Sequence, residues 1–173
     1  MTAEGSAVGN RGYVGSNVFL AGVDADQFEK SLASPVDLSA HDDRPDALTD
    51  FEQARIGAVA TGDRSEKTFG RMAAGDLVLC YDNGSYVGAG RIVATFEDAD
   101  WAAEALWDGA EVAGGYVLED FVELDLQAGV VHSLFEYSAD YSPGDLMRVA
   151  DGRVGSSLAA IRVAVERFSE RRN

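Results

Sequence analysis

A chain of 173 residues, 46% of them hydrophobic, can bury one good core, so a single domain is the natural expectation. No stretch reaches the roughly 18 uninterrupted apolar residues of a membrane span, and the first residues lack the basic and apolar regions of a secretory signal, which predicts a cytoplasmic protein without a membrane partner. The formal charge of -16 ordinarily argues against a polyanionic partner, and the single cysteine excludes an internal disulfide.

Residues 1–15 are rich in Gly, Ser and Ala without a period and read as a flexible arm, leaving 16–173 as the domain. Asn17 to Val23 is a continuous apolar run bounded by turn residues, a first buried strand. Asp24 or Asp26 then caps a short helix over Gln27 to Ala33, which Ser34-Pro35 stops. A polar loop around His41 leads to a helical turn near Leu48 to Ala54. Ile56 to Met72 begins as a loop or short strand and ends in a helix capped by Asp63 or Ser65.

The stretch from Arg71 to Val93, RMAAGDLVLCYDNGSYVGAGRIV, reads as a single β-hairpin. Gly75-Asp76 breaks the preceding segment and Leu77 to Tyr81 is apolar and β-prone. Asn83-Gly84 supplies the positive φ of a tight turn, and Tyr86 to Thr95 returns with glycines at 88 and 90 that permit a bulge or a close approach. Beyond it, Asp98 or Asp100 caps a helix over Trp101 to Trp107. Gly115 to Leu126 is a strand with a bulge near Glu119-Asp120, and Val130 to Phe135 a short strand or loop. Asp145 to Val149 is an extended piece, and Ser156 to Phe168 has the spacing of a terminal helix. The tally is five or six strands and three or four short helices.

Charge is unevenly spread. Arg55, Arg64, Lys67 and Arg71 make the segment from Gln53 to Gly75 locally basic, whereas Glu97 to Asp125 carries ten acidic residues and no basic one. The basic segment is the candidate phosphate contact, and the acidic one is expected to face away from any nucleic acid. Two lysines against twelve arginines, with aspartate above glutamate, suggest a salt-loving source. In molar salt the Debye length falls to about 3 Å, so total charge stops repelling a polyanion at distance.

Catalytic constellations are missing. His41 and His132 are far apart and sit in no metal-ligand spacing, and no nucleophile elbow or phosphate-binding glycine loop occurs. The expectation is a binding domain with no metal and no cofactor.

ARIGAVATGDRSEKTFGRMAAGDLVLCYDNGSYVGAGRIVATF, residues 54–96, resembles the centre of an EVE domain of the PUA-like superfamily, whose relatives include YTH, ASCH and SRA-type readers. Ile56 to Thr61 stands at the family's loop motif, with Ile56 in place of its tryptophan and Ala60-Thr61 in place of Arg-Asn. Gly75-Asp76, Leu77 to Tyr81 and Val87 to Val93 stand at its "GD", "vlfY" and "v-G-x-G-x-V" motifs. Ala105-Leu106-Trp107 and GGYVLEDFVELDL are similar to the variant that precedes nuclease or motor modules in modification-dependent restriction enzymes.

The resemblance implies an α+β fold, a small PUA-like β-barrel of five or six mostly antiparallel strands flanked by short helices. It implies a reader of a flipped modified base in DNA, 5-methylcytosine or a hydroxymethyl relative first and N6-methyladenine second, serving a restriction system whose nuclease lies outside this chain. Asp24, Gly57, Ala58, Ala60, Thr61, Phe69, Tyr81 and Trp107 are the candidate base pocket, with Phe69, Tyr81 and Trp107 as stacking rings; Arg55, Arg64, Lys67 and Arg71 are the candidate phosphate contacts. An RNA-binding module of the same superfamily, and a small halophilic enzyme or ligand-binding barrel, stay open beside this reading.

Overall fold

The computed structural model describes residues 17–97, 99–138, 141 and 143–149, so the expected N-terminal arm and terminal helix lie outside the described residues. The fold is α+β. Its strands are β1 (Val18–Gly22), β2 (Val36–Asp37), β3 (Gln53–Ala60), β4 (Leu77–Asp82), β5 (Ser85–Phe96), β6 (Val112–Gln127) and β7 (Leu146–Arg148). The helices are α1 (Ala25–Ser31), α2 (Asp63–Phe69), α3 (Ala99–Leu106) and α4 (Ala128–Leu134). The seven strands form one sheet in the order β2-β3-β6-β5-β4-β1-β7, and every pairing is antiparallel except β1 with β4.

The hairpin forms as its sequence predicts. Leu77 to Asp82 pairs antiparallel with Ser85 to Arg91, and Asn83 and Gly84 take φ of 49° and 87°, the left-handed pair that suits the twist of a two-residue connection. The Gly-Asp step before it is an anchor. The buried Asp76 carboxylate accepts from the Asn17 amide at 2.9 Å and the Ala73 amide at 3.0 Å, tying the start of β1 to the start of β4.

β6 pairs with β5 along most of its length, and between Ala89/Val122 and Arg91/Glu119 it carries one residue more than its partner. Asp120, at φ 51°, lies in that bulge, as the sequence suggests. The glycines of β5 admit side chains of β6 rather than a ligand: a Cβ on Gly88 would lie 2.5 Å from the Phe121 ring and one on Gly90 3.0 Å from Leu118 Cβ.

Four expectations need correction, the first being the cap of α2, which is Gly62 without a side-chain bond and not Asp63 or Ser65. Val130 to Phe135 is not extended: α4 covers Ala128–Leu134, because Ala128, Val131, His132 and Phe135 bury one helical face that the β-branched Val130-Val131 pair obscures. The turn expected over Leu48 to Ala54 is a single 3-10 turn over Asp46–Leu48, and β3 already starts at Gln53. Among the described residues the strands number seven, and β2, of two residues, is too short to show a period.

The sheet curls. β1 and β3 are four places apart in the strand order, about 19 Å on a flat sheet, yet Gly22 of β1 and Ala58 of β3 line one cavity of about 200 Å³. α1 spans that gap. The Ser31 hydroxyl is 2.6 Å from the Ile56 carbonyl, and the Arg55 guanidinium donates to the carbonyls of Leu32 and Ala33 at 2.6 and 2.8 Å. The result is a partly open barrel whose unclosed seam runs between β1 and β3.

Candidate nucleic-acid interface

The seam holds the first candidate site. β1 ends at Gly22, and Asp24 caps α1, its Oδ1 accepting from the amides of Asp26 and Gln27 at 2.9 and 3.1 Å. Across the gap, alternation along β3 turns Ala58 and Ala60 to the same face. Glu111 and Val112 enter β6, and Asp145 precedes β7, its carbonyl accepting from the Gly22 amide at 3.0 Å. Gly22, Asp24, Gln27, Ala58, Ala60, Glu111, Val112 and Asp145 enclose the cavity of about 200 Å³. Gly22, Ala58, Ala60 and Val112 contribute small apolar surface to it, and Asp24, Glu111 and Asp145 are its three carboxylate-bearing residues. Among the described residues no aromatic ring lines it.

Of the candidate pocket residues, Asp24, Ala58 and Ala60 come together here. Thr61 lines the adjoining groove of about 850 Å³, which shares Glu111 and Val112 with the seam and also exposes Asp100 and Glu104. The acidic segment therefore borders the candidate site instead of facing away from it. Gln27, Glu111 and Asp145 carried no signal in the sequence. Gln27 follows from a helix capped at Asp24, but the other two arrive through long-range pairing.

The remaining candidates lie elsewhere. Gly57 points to the opposite face, where a Cβ would sit 2.1 Å from Tyr116 Cζ; its bare backbone makes room for that ring. Phe69, 9% exposed, packs against Gly114 in the core. Trp107, 3% exposed, donates its indole N–H to the Ser31 hydroxyl at 3.0 Å, locking α3 to α1. Both rings are packing residues, and neither faces the seam. Helical spacing alone does not distinguish a ring against the core from a ring at a mouth.

Tyr81 lies at a second cleft. It pairs with Gly22 across β4 and β1 and lines an opening of about 500 Å³ together with Gly84, Ser85, Gln127, Ala128, Gly129 and Tyr141. Behind it stands a buried cluster in which the Tyr86 hydroxyl and His132 Nε2 share a 2.7 Å hydrogen bond. Burial drives the Tyr86 phenol pKa above its ordinary value, so the hydroxyl stays protonated.

Among the basic candidates, Arg55 is committed to the fold: besides its two carbonyl bonds, its guanidinium lies 5.0 Å from the centroid of the Phe121 ring. Arg64 and Lys67 are exposed on α2, three residues apart, and Arg71 follows just past its end. Thr61 and Gly62 join that helix to the seam-lining end of β3, and none of the three cations lines the cleft itself. Cys80 is wholly buried, and burial pushes its thiol up to about 12, which makes it an inert core residue. Among the described residues no cluster of His, Cys, Asp and Glu is suited to a metal ion, and no helix is long and apolar enough to cross a membrane.

No protein-family model matches this chain, and no curated protein matches it in sequence. Solved structures do. The YTH domain of the Zygosaccharomyces rouxii MRB1 protein in complex with N6-methyladenosine RNA aligns with a TM-score of 0.44 at 12% identity, over 86% of this chain and 88% of that one. The N-terminal domain of Thermococcus gammatolerans McrB bound to m5C DNA aligns with a TM-score of 0.68 at 16% identity, over 87% of this chain and 99% of that one. The fold of this chain is that of the McrB N-terminal domain.

Proposed function

We propose that this chain reads a modified base in DNA, 5-methylcytosine or its hydroxymethyl relative, and targets a restriction activity carried by a module outside it. The carrying observation is the likeness of fold, over 87% of this chain, to a domain bound to m5C DNA, combined with a base-sized cleft at the open seam of the barrel.

The chemistry of that cleft supports a cytosine. Unstacking one base from a duplex costs a few kcal/mol, and the receiving cleft must offset this with contacts the base cannot make in the stack. Cytosine offers its N4 amine as a donor, and a carboxylate is the matching acceptor. Asp24, Glu111 and Asp145 supply three carboxylates, and Gln27 supplies a group that both donates and accepts. Ala58, Ala60 and Val112 provide apolar surface for a C5 substituent, at about 0.8 kcal/mol per buried carbon. Arg64, Lys67 and Arg71 hold backbone phosphates, which fixes position without reading sequence.

The test is a binding panel of one oligonucleotide sequence, unmodified, with 5-methylcytosine, with 5-hydroxymethylcytosine and with N6-methyladenine, as DNA and as RNA, at high salt. The expected result is tighter binding to the cytosine-modified DNA duplexes, reduced by Asp24→Asn, which keeps the helix cap but removes the charge. Equal affinity for every duplex ends the modified-base reading, and preference for RNA moves the function to the RNA-binding alternative.

A further inference from the structure

The cleft at Tyr81 differs from the seam in its rings and its charge. Its lining is two rings, three small residues and two neutral polar side chains, with no ionised group among the described residues, on a chain of formal charge -16. Gly84, Ala128 and Gly129 give a floor almost free of side chains. A Cβ at Gly84 would meet nothing within 4 Å, so the space above it is open.

The rings form a corner. Tyr81 is stacked on His132 with centroids 6.2 Å apart and planes at 27°, whereas Tyr141 meets His132 edge-on at 5.7 Å and 87°. Tyr81 and Tyr141 are therefore steeply inclined to one another, so a planar ligand that stacks on one meets the other at its edge, the two favoured aromatic geometries. Both rings are held from behind. Tyr137 stacks on Tyr141 at 4.6 Å and 11°, the Tyr141 hydroxyl donates to Met147 Sδ at 3.2 Å, and Tyr86 packs edge-on against Tyr81 at 5.4 Å. Partly exposed rings held this firmly lose little entropy on taking a ligand.

The corner and the seam share a strand end. Tyr81 pairs with Gly22, which lines the seam, and Asp145, four positions after Tyr141, lines it too. We infer that the Tyr81–Tyr141 corner is a second nucleobase site, which takes an unmodified base of the same nucleic acid by stacking, with Ser85 and Gln127 meeting its edge. This rests on the proposed reading only in taking nucleic acid as the ligand. The corner holds any base, because every base has a π face, and so adds affinity without adding discrimination.

The experiment measures the affinity of the full chain and its variants for matched modified and unmodified duplexes, alongside unfolding midpoints. Tyr141→Ala is expected to weaken both duplexes by the same factor of about ten, leaving their ratio at the wild-type value. Tyr141→Phe retains the ring and is expected to retain the affinity. Gln127→Ala, at an exposed position whose side chain makes no cap bond, is expected to weaken both duplexes by a smaller common factor. If Tyr141→Ala does not fold, Gln127→Ala carries the test. A folded Tyr141→Ala or, in its place, Gln127→Ala that binds both duplexes as tightly as wild type overturns the inference. Selective loss of the modified duplex also overturns it, since the corner would then be the modified-base pocket itself. Equal wild-type affinity for both duplexes sinks the modified-base reading, yet dependence of that common affinity on Tyr141 still supports the second site.

Discussion

The seam beside Asp24 and the corner beside Tyr81 lie on either side of one strand end and are chemical opposites. Among the described residues the seam is small, ringless and lined by three carboxylate-bearing residues; the corner is larger, aromatic and uncharged. A carboxylate reads the hydrogen-bond donors on a base edge, whereas an aromatic ring accepts a base face and is indifferent to its identity. A single cleft doing both jobs would bury carboxylates against rings and raise their desolvation cost. On the proposed reading, keeping the two apart lets discrimination and affinity be set by separate residues.

The largest expected effect tests whether the rings outside both clefts are packing alone. Trp107→Ala should cost about 3–5 kcal/mol of stability through the cavity it leaves, and the folded fraction should keep the wild-type ratio of modified to unmodified affinity. Denaturant unfolding paired with binding at low temperature checks this. A near-normal midpoint with a collapsed ratio would return Trp107 to the site and break the comparison.

Next comes occlusion of the seam. Ala60→Trp places a large side chain in a cavity of about 200 Å³ and should remove two or so edge contacts worth about 1–3 kcal/mol each, roughly a hundredfold loss for the modified duplex. The unmodified duplex shares the edge contacts but not the C5 substituent, so its loss should be smaller by about fourfold, the worth of one buried methyl carbon at about 0.8 kcal/mol. A matched loss for both would show that the seam contributes affinity and not discrimination.

The basic residues sharpen the contrast between charge that serves binding and charge that serves the fold. Arg64→Ala and Lys67→Ala should each weaken all duplexes alike and lower the slope of log affinity against log salt by about 0.9, measured by salt titration. Arg55→Ala should leave that slope unchanged and instead destabilise the protein by about 1.5–3 kcal/mol, the usual worth of hydrogen bonds from a charged group.

The smallest effect near neutral pH comes from Cys80. Its folded pKa, raised from 9.0 to about 12 by burial, exceeds the unfolded value, so the folded state holds the proton longer. The stability this represents is complete below pH 9 and is lost as pH rises from about 9 towards 12. Midpoints across that range should fall, and Cys80→Ala should fall less steeply. Ready alkylation of native Cys80 at pH 8 would contradict its burial.

Features made by residues close in sequence were legible. The Asn83-Gly84 hairpin, the Asp24 cap, the bulge at Asp120 and the Gly75-Asp76 break each rest on local dihedral preferences and short-range hydrogen bonds, and each is found where its residues predict. Ala58 and Ala60 stand at the family's loop motif and Asp24 outside it, and the three line one cavity. What tertiary structure alone decided is the pairing of β1 parallel to β4 and the insertion of β6 between β3 and β5. Those two choices bring Glu111 and Asp145 to the rim of the seam and set Tyr141 near Tyr81, and they turn Gly57, Phe69 and Trp107 inward. Hydrophobic periodicity states which face of an element is buried but not which distant element it meets, because that partner is selected by the packing of the whole sheet.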